Sequence, residues 1–443
     1  MKTFIISVFL VTIQLYSQSP AWHTLPNTPY TPWRHDDVSF ISETNIWVTN
    51  NINFGGGNSA KVYKSTNGGQ NWTIQFTKSN QYFRCIGFLD SLNGILGTLG
   101  NMIGLNGPAL YKTTNGGMNW DSVSISPSPP YGLCGISILQ PSSIFACGRV
   151  GGPAYFIKST NGGLNWISQN MSAYAYELID CKFFSDDSGF VIGAVDTVPN
   201  SKGVVLFTSN GGNSWIERYR GNRPYDGLWK ISFINRNTGY VSFNLNEDTL
   251  FFLKTTNGGL SWQRGFQALG VQTISQGIGF INENTGWIGG DFTNMYKTTN
   301  GGISWQLDNW GRFVNRIRFI NDTLGYAVGR EIYKYTTEPI GIKPISNEIS
   351  KDFLLGQNYP NPFNPVTKIR FSVPVNKVGE RGLSVRLLIY DALGREIITL
   401  INEQLNPGIY EISWDAANRP SGIYFYKLIT EEYTETKKMI LIK

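Results

Sequence analysis

Short stretches of alternating apolar and polar residues recur along most of the chain. Each unit has a run rich in β-branched and aromatic residues, a polar turn and a second such run. Ile231 and Phe233, on either side of Ser232, show the period of two that predicts a strand with one buried face. The pattern predicts seven β-hairpins, at residues 38–50, 86–98, 136–148, 181–193, 231–243, 278–290 and 317–329.

A second motif, Ser/Thr-x-Asn-Gly-Gly-x-x-Trp, occurs six times at intervals of 43 to 49 residues. Its asparagines are Asn67, Asn115, Asn161, Asn210, Asn257 and Asn300, and its tryptophans are Trp72, Trp120, Trp166, Trp215, Trp262 and Trp305. Asn-Gly-Gly predicts a tight turn, because both residue types tolerate positive φ. The hydroxyl just before each asparagine, as at Thr66, is expected to bond to the turn. The tryptophan is expected to anchor the next strand.

Hairpin and motif together predict four strands in about 45 residues, the size of one β-propeller blade. Trp22, in segment 21–25 (AWHTL), takes the place of a missing seventh motif tryptophan. We therefore expect the N-terminal strand to complete the last blade and close the ring, which removes exposed sheet edges. The expected fold of residues 20–337 is an all-β, seven-bladed β-propeller. Six or eight blades are the alternatives if one hairpin is misassigned.

Residues 1–19 are typical of a signal peptide. Lys2 supplies a positive charge, residues 4–16 (FIISVFLVTIQLY) are apolar, and small or polar residues follow. The apolar stretch is shorter than a membrane span and no later segment qualifies, so we expect no transmembrane segment in the mature chain. A buried N-terminal strand is the alternative interpretation.

Composition narrows the possible functions. The chain has 37 basic and 31 acidic residues without a concentrated basic stripe, which argues against nucleic-acid binding. Only two histidines occur, His23 and His35, and the four cysteines form no Cys-x-x-Cys pair. We therefore predict no metal site and no cofactor. Cys134 and Cys147 flank a predicted hairpin, and a disulfide or two free thiols remain alternatives there.

The repeated motif resembles the Asp-box, or BNR, repeat of sialidases, xyloglucan hydrolases, sortilin-type receptors and photosystem II assembly factors. The assembly-factor family is similar in repeat type and in expected blade number. In these families the box lies on outer hairpin turns and is structural, and the resemblance implies the same role here. Asparagine stands where the box is named for aspartate, and a neutral amide disfavours calcium.

No catalytic constellation stands out in the sequence. The sialidase resemblance would require an arginine triad, a Tyr/Glu pair and an acidic Asp, and the local contexts match none of these. Asp36, Asp37 and Asp180 lie at the starts of predicted inner strands, where carboxylates would face one another across the ring as in a glycosidase. Because histidine is nearly absent, acid–base catalysis would depend on carboxylates alone. We predict that the protein is not an enzyme, with a glycoside hydrolase as the alternative.

The residues just before each inner strand differ among the repeats, so a specific site is expected there. They include an aromatic and several cations, which suits an anionic or peptide partner. The candidate set is Asp36, Asp37, Arg84, Asp180, Trp229, Lys230 and Arg316. Solvated charges that merely line the channel are the alternative. The long connections 51–59, 101–108, 126–131 and 199–202 form a second candidate surface.

The sequence changes character after the repeats. Residues 338–351 contain two prolines and are predicted to be a linker, and strand-like runs separated by turns predict a small Ig-like antiparallel β-sandwich over 352–443. Residues 358–364 (NYPNPFN), a Tyr-Asp-x-x-Gly turn and a Lys-Lys-Met terminal strand resemble the type A sorting domain of the type IX (Por) secretion system. The motif residues are Asn358, Pro360, Asn361, Pro362, Phe363, Asn364, Gly394 and Gly422.

This resemblance implies Sec export, passage across the outer membrane by the type IX machinery, and a secreted or cell-surface product. An ordinary Ig-like binding domain is the alternative. The leading functional hypothesis is a non-catalytic binding or scaffold protein with an unknown extracellular protein or glycan as partner. A glycan-binding or glycan-hydrolysing propeller and an envelope-complex assembly factor are the other two hypotheses.

Overall fold

The structure is a computed structural model that describes residues 19–51, 59–101, 105–244, 246–291, 294–337, 342–346, 350–375, 383–416 and 419–443. The predicted signal peptide therefore lies outside the described residues, apart from residue 19. Within these ranges every helix-or-strand element is a β-strand, which agrees with the all-β prediction. Strands β1 to β27 form the N-terminal region, and strands β28 to β35 form the C-terminal region.

The N-terminal strands are short and follow one another closely. They are β1 (Ala21–Thr24), β2 (Arg34–Phe40), β3 (Ile46–Asn51), β4 (Ser59–Ser65), β5 (Thr73–Ser79), β6 (Phe83–Phe88), β7 (Gly94–Thr98), β8 (Leu110–Thr113), β9 (Asp121–Ser122), β10 (Gly135–Leu139), β11 (Ser143–Gly148), β12 (Tyr155–Ser159), β13 (Ile167–Asn170), β14 (Glu177–Phe183), β15 (Gly189–Ala194), β16 (Gly203–Thr208), β17 (Ile216–Arg220), β18 (Leu228–Phe233), β19 (Gly239–Phe243), β20 (Asn246–Thr255), β21 (Gln263–Phe280), β22 (Gly286–Asp291), β23 (Met295–Thr298), β24 (Gln306–Asp308), β25 (Arg316–Asn321), β26 (Leu324–Val328) and β27 (Ile332–Thr336).

These strands form antiparallel sheets in which neighbours along the chain pair. The four-stranded sheets are β2-β3-β4-β5, β6-β7-β8-β9, β10-β11-β12-β13 and β14-β15-β16-β17. A seven-stranded sheet, β18 to β24, joins two such units, because the long strand β21 pairs with β20 through its first part and with β22 through its last. The first strands β2, β6, β10, β14, β18, the end of β21, and β25 pack side by side in that order, and β25 packs beside β2.

The last sheet contains both ends of the N-terminal region. Its order is β1-β27-β26-β25, and Trp22 in β1 lies opposite Tyr335 in β27. The Trp22 ring stacks on Trp310 at 4.4 Å between centroids and meets Trp287 edge-on at 5.7 Å. The predicted pairing of the N-terminal strand with the last three strands is thus confirmed, and Trp22 is buried among aromatic side chains.

The six Asn-Gly-Gly turns share one hydrogen-bond pattern, which differs from the prediction in one respect. In the first, the Ser65 hydroxyl donates to Asn67 Oδ1 at 2.9 Å and accepts from the Gly69 amide at 2.8 Å. Thr66, the residue predicted to bond to the turn, is exposed. The Ser65 hydroxyl, one position earlier, makes these bonds instead. Ser65 is the last residue of β4 and is buried, so its hydroxyl reaches the turn amides. Gly68 and Gly69 have φ of 71° and 89°, as the turn requires.

The motif also links neighbouring sheets. Lys158 Nζ donates to the carbonyl of Gly211 in the next turn at 2.6 Å, and Lys254 Nζ does the same to Gly301 at 2.8 Å. The apolar core lies between adjacent sheets, as where Ile95 of β7 and Ile144 of β11 pack in one cluster. These lysines thus tie β12 and β20 to the Asn-Gly-Gly turn of the following repeat.

The C-terminal region has two four-stranded sheets that share one apolar core. Its strands are β28 (Ile342–Ser346), β29 (Leu354–Leu355), β30 (Val366–Val373), β31 (Leu383–Asp391), β32 (Glu396–Leu405), β33 (Gly408–Asp415), β34 (Gly422–Ile429) and β35 (Thr434–Leu441). The sheet orders are β28-β33-β30-β29 and β32-β31-β34-β35. Strand β28 differs from the prediction, because it lies inside the segment assigned to the linker yet pairs with β33.

Candidate functional site

The predicted site residues meet where the inner strands begin. Because β2, β6, β14, β18 and β25 are all inner strands of successive units, their first residues gather at one end of the channel between the inner strands. All seven candidates are buried: Asp36, Asp37, Arg84, Asp180, Trp229, Lys230 and Arg316. They form a connected network of ion pairs and ring contacts, which we call the channel cluster. Its charged groups are buried, and all of them except Lys230 form ion pairs, unlike the solvated lining that the sequence left as an alternative.

Arg316 is the hub of one half of the channel cluster. Its Nη1 and Nη2 atoms lie 2.7 Å and 2.9 Å from the two carboxylate oxygens of Asp180, and its Nε lies 3.1 Å from Asp37. One side chain thereby joins β25, β14 and β2. Burial raises the pKa of Asp180, but Arg316 and Lys230 outweigh it and hold the pKa below its ordinary value. Asp180 is therefore an ionised acceptor.

Asp36 is the centre of the other half. It pairs with Arg84 and with Arg34 Nε at 3.1 Å, and it accepts a bond from Asn51 Nδ2 at 2.8 Å. Burial raises the pKa of Asp36, but the charges of Arg34 and Arg84 bring it below its ordinary value. Because Asp36 stays ionised near neutral pH, it has no proton to donate to a leaving group.

Trp229 extends the Asp36 half of the channel cluster. Its Nε1 donates to Asn315 Oδ1 at 2.7 Å, and Asn315 Nδ2 donates to the backbone oxygen of Asp36 at 2.7 Å. The Arg84 guanidinium lies over the Trp229 ring, 4.8 Å from its centroid, and Lys230 Nζ lies 5.6 Å away. An aromatic face thus supports two neighbouring cations, which offsets part of the cost of burying them.

Lys230 is the least compensated member of the channel cluster. Its Nζ atom is buried and has no hydrogen-bond partner among the described residues, and the same is true of Arg84 Nη2. Burial lowers the pKa of Lys230 well below its ordinary value, and the neighbouring Arg84 and Arg316 charges lower it further. Two adjacent cationic donors therefore have unused bonding capacity inside the protein.

Positive charge exceeds negative charge around the channel. The described basic side chains there are Arg34, Arg84, Lys182, Lys230, Arg316 and Arg318, against Asp36, Asp37 and Asp180. Sequence reasoning missed Arg34, Lys182 and Arg318 as site residues. The signal that could have found two of them is the period of two along a strand, because Lys182 follows Asp180 and Arg318 follows Arg316 at that spacing. The arrangement suits anion binding.

Three exposed tyrosines lie on the face of the propeller at which the inner strands begin. Tyr30, Tyr131 and Tyr225 are 79%, 53% and 54% exposed. Each lies in the connection that leads from the outer strand of one sheet into the next inner strand, so all three share the end at which the inner strands begin. Arg149 lies over the Tyr131 ring at 5.9 Å. Of the long connections predicted as a second surface, 126–131 contributes Tyr131, whereas most of 51–59 and part of 101–108 lie outside the described residues.

The cysteines take no part in disulfides. All four are free and buried, and the Cys134 amide donates to the Cys147 carbonyl at 2.7 Å across the β10-β11 pair. The free-thiol alternative therefore describes Cys134 and Cys147. Within the described residues, no group of three or more His, Cys, Asp or Glu side chains is arranged to hold a metal ion.

The predicted sorting motif is folded onto the last strand of the chain. Asn358 Nδ2 donates to Thr367 Oγ1 at 2.9 Å and to the Pro360 carbonyl at 3.1 Å. Phe363 is buried, and its amide donates to the Ile440 carbonyl at 2.9 Å. The remaining motif residues lie at exposed turn or edge positions: Pro360, Asn361, Pro362, Asn364, Gly394 and Gly422. The motif thus combines buried anchors with an exposed surface.

Residues 357–443 match the family model of the secretion system C-terminal sorting domain. The match begins one residue before Asn358 and covers the two-sheet C-terminal region from there on. The chain is therefore secreted by the type IX system to the cell surface or the extracellular space. In the ranges that the structure describes, no helix is long and apolar enough to cross a membrane.

Two solved propellers are similar to the chain. "YCF48 bound to D1 peptide" is 17% identical, with a TM-score of 0.52 over 74% of this chain and 99% of that one. YCF48 from Cyanidioschyzon merolae is 16% identical, with a TM-score of 0.52 over 71% of this chain and 98% of that one. At this identity the likeness concerns the fold alone, which is a β-propeller. No curated protein matches the sequence.

Proposed function

We propose that this protein is a non-catalytic secreted or cell-surface binding protein, in which a seven-bladed propeller presents a peptide-binding surface around the channel cluster. Six sheets, one of which joins two four-stranded units through β21, support this blade number. The C-terminal two-sheet region is Ig-like in this proposal and serves export through the type IX machinery. The propeller is then the part that acts at the destination.

The observation that carries the proposal is the set of exposed tyrosines on the face of the propeller at which the basic cluster lies. Tyr30, Tyr131 and Tyr225 offer rigid aromatic surface with a polar tip, a composition enriched in recognition sites. The positive excess beneath them attracts acidic groups. One similar propeller is described with a bound peptide, and we transfer only that class of ligand to this chain. An acidic peptide segment fits both features.

The paired carboxylates support a function without catalysis. Asp36 and Asp180 each hold a lowered pKa and are bonded to arginine, whereas a glycosidase needs one carboxyl group that stays protonated. Glu177, the first residue of β14, is a carboxylate whose pKa is shifted in the opposite direction. Burial raises its pKa, and its carboxylate accepts a bond from the Gly151 amide at 2.8 Å. Its partner Gly151 lines a cavity of about 370 Å³ together with Gly152, Ser172 and Tyr176, and this cavity keeps glycan binding as the second candidate.

A paired ligand screen tests the proposal. The mature chain is tested for binding to a library of acidic peptides, to control peptides without net charge, and to a panel of polysaccharides. Release of reducing sugar from the polysaccharides is measured in the same experiment. We expect acidic peptides to bind. We expect the double variant Tyr131→Ala/Tyr225→Ala to bind these peptides at least tenfold more weakly. Met118→Ala and Leu260→Ala remove comparably exposed side chains from the Asn-Gly-Gly turns and serve as matched controls.

Each other outcome identifies a competing function. Sugar release that is lost in Glu177→Gln would identify a hydrolase and refute the non-catalytic proposal. Binding of polysaccharide without release, with peptides inactive, would identify a lectin. Peptide binding that is equally weakened by the control variants would show that the exposed tyrosines are not the peptide-binding surface.

A further inference from the structure

The predicted sorting-motif residues come from separate parts of the sequence but lie at one end of the C-terminal two-sheet region. Gly394 lies in the turn after β31, and the last residue of β31, Asp391, pairs with Tyr424 of β34. Gly422 begins β34 and pairs with Leu441, the last residue of β35. The ends of β31 and β35 therefore lie on either side of the start of β34.

The NYPNPFN loop lies at the same end. Phe363 forms a parallel bridge with Leu441, and its carbonyl accepts a bond from the Ile442 amide at 3.0 Å. Asn361 Oδ1 accepts a bond from the Ile440 amide at 3.0 Å. The loop, the turn after β31, the start of β34 and the last residues of the chain thus share one surface. We call this surface the motif end, and it comprises residues 359–364, 391–394, 421–423 and 440–443.

Large apolar side chains of the motif end are exposed to solvent. They are Tyr359, Leu393, Ile423 and Ile442. This exposure is that of the full chain, so the rest of the protein leaves these side chains accessible. Exposed apolar side chains that lie together mark a protein-interaction site. Pro360 and Pro362 lack a backbone N–H, which disfavours extension of the loop by strand pairing with a second copy of the chain.

We infer that the motif end is the surface at which the type IX machinery binds this chain, through an apolar protein surface of the machinery. The machinery is the occupant because residues 357–443 match the sorting-domain family and because most of the predicted motif residues are exposed at this end. A signal of this kind exists only in the folded domain, since folding brings its parts together. The inference rests on sorting by the C-terminal region and is independent of the proposed peptide ligand.

Buried and exposed motif residues then have different roles. Phe363 packs against Trp414 with 5.5 Å between the ring centroids, and Asn358 Nδ2 bonds to Thr367 Oγ1. These two buried residues hold the loop on the sheets, so their replacement acts on binding through the fold. Leu393 is 78% exposed, so its replacement should weaken binding to the machinery and leave the stability of the fold nearly unchanged.

A secretion assay with the full chain tests the inference. Leu393→Glu/Ile442→Glu is expressed in the cells that secrete the protein, and we expect at least tenfold less of it in surface and medium fractions than of the wild type. The matched control is Leu354→Glu/Val375→Glu, at the opposite end of the two sheets, where the original side chains are 62% and 48% exposed. The control should be secreted like the wild type. Melting temperatures of both purified variants should stay within about 2 °C of the wild type.

Photocrosslinking in the same cells identifies the occupant. A photoreactive amino acid in place of Leu393 should crosslink to a component of the type IX machinery, identified by mass spectrometry, whereas one in place of Leu354 should not. This measurement also decides the question if the glutamate substitutions lower the melting temperature. Normal secretion of Leu393→Glu/Ile442→Glu, an equal loss in the control variant, or crosslinks from position 393 only to a second copy or to the propeller would each overturn the inference.

Discussion

Replacing Arg316 with methionine should destabilise the propeller strongly and in a pH-dependent way. Arg316 has an 8% exposed side chain that makes three hydrogen bonds to the buried carboxylates of Asp180 and Asp37. Its loss leaves Asp180 with no arginine partner, while Asp37 keeps Arg318. Breaking a buried ion pair by removing one partner costs about 3–5 kcal/mol in the free energy of unfolding.

The pH dependence follows from the sign of the Asp180 shift. In the wild type the folded pKa of Asp180 lies below its unfolded value, so the stabilisation is present above the unfolded pKa and is lost as pH falls through the folded pKa. In Arg316→Met burial dominates and raises the folded pKa above the unfolded value. Asp180 then opposes folding increasingly as pH rises. The difference between wild type and variant should therefore be largest near pH 7 and should shrink toward about pH 4.

Urea unfolding monitored by tryptophan fluorescence at several pH values measures this difference. Arg318→Met is the matched control, because Arg318 also pairs with Asp37 but has a 27% exposed side chain, and its loss should cost about 1 kcal/mol or less. Adding Asp180→Asn to Arg316→Met should recover part of the loss at neutral pH. A penalty for Arg316→Met that is independent of pH, or no larger than that of Arg318→Met, would refute the reasoning.

Three further predictions concern the frame and the sorting domain. Trp22→Ala removes the stacked partner of Trp310 and should lower the free energy of unfolding by about 3–5 kcal/mol in the urea assay. Gly69→Ala puts a Cβ 2.4 Å from Leu25 Cδ1 at a φ of 89°, and should destabilise more than Gly394→Ala, whose Cβ meets no atom within 4 Å. Asn358→Leu removes the three side-chain hydrogen bonds of Asn358 and should retain the protein inside the cell, as scored by immunoblotting of surface and medium fractions.

Much of the fold was predictable because each repeat contains the residue patterns that specify its own strands and turns. Period-two runs specify strands, Asn-Gly-Gly specifies the turns, and the surplus hairpin together with Trp22 specifies how the ends meet. The prediction named Thr66 as the hydroxyl that bonds to the turn, but Ser65 makes these bonds. Sequence alone does not say which of two neighbouring hydroxyls faces the turn amides. Strand β28 was missed because Pro344 argues against a strand, although an edge strand tolerates proline.

Membership of the candidate site was predictable, but its state was not. The starts of inner strands must gather at one end of a propeller, and the seven candidates do so. Their pairing depends on distances between residues that are far apart in sequence, such as Asp37 and Arg316, which are separated by 279 residues. Whether a charge is solvated or buried against a partner depends on the diameter of the channel, which no local pattern encodes.

Closure of the ring and assembly of the channel cluster depend on the same strands. Arg316 begins β25 in the sheet that Trp22 completes, and its bonds reach β2 and β14 in two other sheets. The His35 amide in β2 also donates to the Gly329 carbonyl of the last sheet at 2.7 Å. Since buried ion pairs contribute little net stability, the cluster is better explained by specificity of closure, in which only one register brings each arginine to its carboxylate. A ring closed one repeat out of register would bury these charges without partners.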